Sequence, residues 1–153
     1  MNLPKPPSSY DELERYLPYL INRLAVLGQA AQKRMLEKSG ISLLTMRALS
    51  ILHIEDGLTV NEIAERAFTE QSSASRAIDT MVAQGLVERR IPAQDQRRRE
   101  IVLTDRGREQ LVQSWPAMDH HFTMLAEGTT DAQRDACRMV LTRMLANLNR
   151  LTP

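Results

Sequence analysis

Five arginines, Arg89, Arg90, Arg97, Arg98 and Arg99, stand within eleven positions, with Asp95 among them. Guanidinium groups at this density do one kind of chemistry. They bind anions, through planar forks of N–H donors that match phosphate and carboxylate oxygens. Like charges repel, so a globular core gains nothing from placing Arg97, Arg98 and Arg99 side by side. An anionic partner removes that penalty. Two short apolar segments, 86–91 and 101–103, flank the polar stretch and make it the tip of a β-hairpin. A hairpin tip is narrow enough to enter a nucleic-acid groove, where arginine is favoured.

The residues just before the hairpin carry a second set of suitable groups. Residues 71–84 read as a helix ended by Gly85. Its inner face is Ala74, Ala77 or Ile78, Met81 and Val82. Its outer face holds Ser72, Ser75, Arg76 and Asp79. Ser72, Ser73 and Ser75 can bond to phosphates and bases without blocking a groove. Arg76 can bond a phosphate or read guanine O6 and N7 bidentately. Alone, such a helix could equally be an ordinary solvated one with serines. The arginine-rich hairpin directly after it decides for nucleic acid.

The elements that must position these groups are marked upstream. Ser42 is an N-cap for a helix carrying Leu43, Leu44, Met46, Leu49, Ile51 and Leu52. That helix is apolar nearly all round and should be central. Asp56 and Gly57 form a turn. Thr59 and Glu62 have the spacing of a capping box, with Leu58 and Ile63 at the positions of a hydrophobic staple. A short helix over 60–67 follows, then a break at 68–70. Short helix, tight turn, second helix and hairpin make the plan of a winged helix-turn-helix.

Longer apolar stripes lie on either side. Leu13, Leu17, Leu20, Leu24 and Leu27 step by alternating fours and threes along a helix that Pro18 interrupts early and Gly40 ends. Pro4, Pro6 and Pro7 keep residues 1–10 out of that helix, as a flexible arm. Thr104 caps a long helix reaching about residue 126, which Pro116 should kink. Gly128 and Asp131 mark a turn. The last helix aligns Cys137, Val140, Leu141, Met144, Leu145 and Leu148 on one face. The two stripes exceed what a small domain buries alone, which points to a second copy of the chain.

Composition narrows the class. The 153 residues are 42% hydrophobic but only 4% aromatic, so aliphatic side chains and methionine build the core. Twenty basic against 19 acidic side chains leave a net charge of +1, so the information lies in the segregation of charge. One cysteine, Cys137, excludes an internal disulfide framework and suggests a reducing compartment. The N-terminal arm is too short and polar for a signal peptide, and no run approaches the roughly 18 apolar residues of a membrane helix. A cytoplasmic chain is expected. A Gly-rich phosphate loop, a His-Glu-x-x-His pattern and an activated nucleophile are all missing, which argues against an enzyme. No cofactor is expected.

These residues resemble the MarR family of bacterial transcription regulators over about residues 13–148. Asp95 and Arg97, followed by Ile101, Leu103, Thr104 and Gly107, are similar to the family's wing signature, D-x-R and then a strand ending L-T-x-x-G. Met81, Gly85, Leu86, Val87 and Arg89 match its pattern at the exit of the recognition helix. Gly40 to Ser42, with Met46 and Leu49, resemble the start of its second helix. Phe68 and Thr69 depart from it, standing where a small and then an apolar residue are usual, and Ala74 replaces a commoner valine.

The resemblance implies a mainly α fold with a small β-hairpin wing. A winged helix-turn-helix domain, 41–104, would bind DNA, and 11–39 with 105–150 would form a helical dimerisation region. It implies an obligate homodimer that reads a palindromic double-stranded operator, as a repressor. Asp95 would orient Arg97, which would enter the minor groove, while Arg98 and Arg99 would meet phosphates. It also implies a small effector, often a phenol or aromatic acid, bound between the dimer helices and the DNA-binding domain. Tyr16, Tyr19, Arg23, His53, Trp115 and His120 are the candidates, since an arginine with aromatic rings suits an aromatic carboxylate. The same rings could instead anchor the dimer seam. Three alternatives stay open. Cys137 could be a thiol switch, although its apolar helix face favours a buried, inert thiol. Asp119, His120 and Glu127 could bind a metal, although zinc wants three or four converging ligands and no metal site is expected. The winged helix could bind protein rather than DNA, against which the tip arginines argue.

Overall fold

Pro18 divides the first apolar stripe. Helix α1 (Tyr10–Glu14) is a short piece whose N-cap Ser9 accepts a hydrogen bond from the Glu12 amide. Helix α2 (Leu17–Leu36) starts afresh with Pro18 in its first turn, where a missing N–H costs nothing. The computed structural model describes residues 5–151; residues 1–4 of the expected 1–10 arm lie outside the described residues, and its last residue, Tyr10, already opens α1. A 3-10 turn (Glu37–Ser39) closes on Gly40, whose φ of 68° is the left-handed conformation that ends a helix.

Among the described residues there are seven α-helices and one two-stranded antiparallel sheet. Helix α3 (Leu43–Ile54) begins at the Ser42 cap. Helix α4 (Val60–Arg66) has the full capping box of Thr59 and Glu62. Phe68 then takes a φ of 52°, which turns the chain into α5 (Gln71–Ala83). Strands β1 (Val87–Arg90) and β2 (Glu100–Leu103) form the hairpin, and α6 (Asp105–Leu125) continues through Pro116. Helix α7 (Asp131–Leu151) completes the order. The winged helix-turn-helix arrangement is therefore present, and mainly α.

The described residues form two compact units divided within α6, after Met118. The first holds the core. Leu49, Leu52, Ile63, Ile78, Met81 and Ile101 are fully buried there, joined by the staple residues Leu58 and Ile63. As the sequence implies, α3 is central and α5 buries Ala74, Ile78 and Met81. The second unit is the end of α6 and α7, linked by a turn at Gly128 and capped by mutual bonds of Thr130 and Gln133. No residue of α7 up to Arg150 is buried. Cys137 is accordingly exposed in the single chain rather than buried, because α7's apolar face has no cover from its own unit. Among the described residues, no helix is long and apolar enough to cross a membrane.

Candidate nucleic-acid interface

The hairpin register pairs Val87 with Leu103, Arg89 with Ile101 and Arg90 with Glu100. Buried Val87, Ile101 and Leu103 seat it on the core. The chain segment before α4 adds to it, since the Ile101 amide donates to Leu58 O at 2.7 Å and the Gly57 amide to Ile101 O at 3.2 Å. The Leu103 amide donates to Asp56 Oδ1 at 2.8 Å. At the far end, Thr104 Oγ1 donates to Gly85 O and Leu86 O and accepts from the Gly107 amide, locking the wing to α6.

Most of the wing arginines find anions inside the chain. Arg89 pairs with Asp79 on α5, and Arg90 with Glu100 across the strands at 3.0 Å. Arg98 donates to Glu62 Oε2 at 2.9 Å, to Glu100 Oε1 and to Gly57 O at 3.3 Å each. Arg99 donates to the carbonyls of Gln96 and Arg98. The repulsion inferred from sequence is thus largely offset without an external partner. The Asp95 carboxylate accepts from the Arg97 backbone amide at 2.9 Å, so its hold on Arg97 is through the main chain at the tip. Arg97's exposed guanidinium has no partner among the described residues.

Helix α5 presents a matching face. Ser72 and Arg76 are exposed, and Ser73 and Ser75 are half-buried. None of these hydroxyls, nor the Arg76 guanidinium, is bonded within the chain among the described residues. The arrangement offers two unpaired guanidinium groups, Arg76 on a helix and Arg97 on a wing, with three hydroxyls between ion pairs that fix the surround. Glu62, at the foot of this frame, is held below the ordinary glutamate pKa. The Thr59 amide is the largest cause, then the Thr59 hydroxyl, with the Arg98 charge adding and partial burial opposing.

A second feature is a cavity of ≈ 350 Å3 in the first unit, whose lining includes Arg47, Ser50, Arg66, Phe68, Trp115 and Met118. Of the six residues the sequence suggested for a ligand, Trp115 alone lines it. Arg23 is bonded to Glu14, Tyr16 and His53 are exposed elsewhere, Tyr19 is half-buried on α2, and His120 lies in the second unit. The sequence reading missed Arg47 and Arg66. Arg47 had a signal: it is the one charged residue in the mostly apolar run 43–52. Among the described residues no three His, Cys, Asp or Glu side chains converge as a metal would need.

Known proteins fit this geometry. The MarR family model matches residues 39–99. A MarR-family transcriptional regulator from Silicibacter pomeroyi is 38% identical in its crystal structure, with a TM-score of 0.78 over 88% of this chain and 91% of that one. A MarR-family transcriptional regulator from Silicibacter pomeroyi DSS is 31% identical, with a TM-score of 0.84 over 94% and 97%. The structure of S. aureus MepR in complex with DNA is 25% identical, with a TM-score of 0.74 over 88% and 98%. Likeness of this extent and identity covers the hairpin, the recognition helix and the flanking helices together, and the chain belongs to the MarR family of DNA-binding transcription regulators.

Proposed function

We propose that this chain is a homodimeric repressor that binds a palindromic DNA site through α5 and the wing. The observation that carries the reading is that the guanidinium groups of Arg76 and Arg97 have no partner among the described residues, while Arg89, Arg90, Arg98 and Arg99 are each bonded within the chain. Arg97 enters the minor groove, and Arg76 with Ser72, Ser73 and Ser75 faces the major groove. Asp95, Arg98 and Arg99 hold the tip in shape. The relative MepR, solved in complex with DNA, supports DNA as the partner.

The partner copy covers the apolar faces left open. Leu24 and Leu27 on α2 are 54% and 57% exposed, and Val140, Leu145 and Leu148 on α7 are similarly open. Apolar stripes of this length are rarely left to water. Two bound domains then set the half-site spacing.

Release is proposed to follow binding of a small aromatic acid in the Arg47–Trp115 cavity. Arg47 is half-buried, has no partner among the described residues, and shares the cavity with Phe68 and Trp115. A cation beside two aromatic rings suits a carboxylate on a ring.

Selection of bound duplexes from a random DNA pool, at low and moderate salt, tests the core of this reading. Enrichment of an inverted repeat with half-sites about one helical turn apart is expected. No enrichment at either salt overturns it. The effector arm is read by Trp115, the single tryptophan. Benzoate and hydroxybenzoates should alter its fluorescence in the wild type and fail to do so in Arg47→Ala; an equal response in both refutes the site.

A further inference from the structure

Arg97 and Arg98 are neighbours in the chain with opposite fates. Arg97 is exposed with no side-chain partner among the described residues, while the Arg98 side chain is only 35% exposed and is bonded at three points. Those points belong to different elements. Glu100 is in β2, Gly57 is in the segment that hydrogen-bonds alongside β2, and Glu62 is in the first turn of α4. The backbone bonds between that segment and the wing reach Ile101. Arg98 continues the connection past the end of β2, where the tip would otherwise leave the domain unsupported.

We propose that Arg98 is a positioning residue that fixes the wing to the start of α4 through Glu62, and that it makes no phosphate contact. The proposal deepens the DNA-binding reading above and rests on it for its functional consequence. A two-point fork onto a phosphate needs Nε or Nη2, and these are already bonded to Glu100, the Gly57 carbonyl and Glu62. Glu62 is a rigid anchor, because its Oε2 also accepts from the Thr59 amide at 2.7 Å and the Thr59 hydroxyl at 2.9 Å. Its lowered pKa keeps it ionised at any pH suited to DNA binding. Glu100 is 14% exposed and also holds Arg90, so the chain of contacts runs Arg90, Glu100, Arg98, Glu62. Helix α4 packs on α5, so the brace keeps Arg97 at a fixed offset from Arg76 and the serines. Association with DNA then carries less ordering cost at the tip.

The test uses the full chain, the duplex enriched by selection, and anisotropy titrations over a range of salt. A lost phosphate contact lowers the salt slope by about one. Arg98→Ala is expected to weaken binding about fivefold at an unchanged slope, the scale of a partly exposed ion-pair network. Glu62→Gln keeps the capping box, which accepts Gln, but removes the charge that holds Arg98. It is expected to weaken binding too, and the double variant to be no weaker than Arg98→Ala. The phosphate reading gives the opposite sign: Glu62→Gln frees Arg98 and tightens binding. In the DNA-free protein, hydrogen exchange at the Arg97 and Arg98 amides should speed up in both variants. A slope reduced by one in Arg98→Ala, tighter binding by Glu62→Gln, or unchanged tip exchange each overturns the proposal. Arg97→Ala runs alongside: an unchanged affinity there refutes the wing's contact with DNA, while the exchange measurement still decides the brace.

Discussion

Gly107→Ala isolates the joint between the wing and α6. A Cβ at this position meets Leu86 O at 2.1 Å and Leu103 Cδ1 at 2.7 Å, where real contacts stay beyond 3.0 Å. The leucine tip can rotate away. The carbonyl cannot, because it accepts from the Thr104 hydroxyl at 2.9 Å and the Thr104 amide at 3.2 Å. Relief requires the start of α6 and the link between α5 and β1 to part by about 0.9 Å, the gap between 2.1 and 3.0 Å. Overpacking costs about 1–3 kcal/mol, and stretching the two Thr104 bonds about 0.5–1.5 kcal/mol each. Replacing a helical glycine by alanine returns about 0.5–1 kcal/mol. The net loss is about 1–5 kcal/mol, or a Tm lowered by about 2–20 °C for a chain of this size. Urea unfolding followed by circular dichroism, at one fixed protein concentration, measures it. A loss below about 0.5 kcal/mol refutes the argument, since it would mean that the carbonyl yields freely.

Arg97→Ala is expected to cost about 1–3 kcal/mol of duplex binding and to lower the salt slope by about one, checked by anisotropy titrations. The pH dependence of stability follows from Glu62. Its folded pKa is depressed, so its contribution is present above the ordinary glutamate pKa and is lost as pH falls through the lowered value. Thermal melts from neutral to acid pH should show the stability gap between the wild type and Glu62→Gln closing in that window; a gap that stays constant rejects the assignment. At Phe68, 90% exposed with a φ of 52°, the ring adds little packing while the backbone is strained. Phe68→Gly should therefore exceed Phe68→Ala in stability by about 1 kcal/mol, and the reverse order in paired urea titrations contradicts the strain.

What the sequence determined by itself is local. Ser42 and the Thr59–Glu62 box close hydrogen bonds within three or four residues, so their helices start where the spacing says. Pro18 breaks the first stripe and Gly40 and Gly85 end elements through backbone preferences that need no partner. The winged helix-turn-helix was legible for the same reason, since each of its parts carries its own boundary signal. The fates of the arginines were not legible. Arg98 meets Glu62 across 36 residues and Gly57 across 41, and Arg89 meets Asp79 only because β1 returns past α5. The cavity beside Trp115 is a similar case, with Arg47, Arg66 and Trp115 gathered from three helices. Periodicity reports which face a residue shares with its neighbours along the chain. Which carboxylate waits opposite a given guanidinium depends on how the packed elements are set against each other, and that is decided by burial of the common core. The sequence alone thus supplied a charged tip, and the tertiary structure decided that Arg97 is the tip guanidinium without a partner among the described residues.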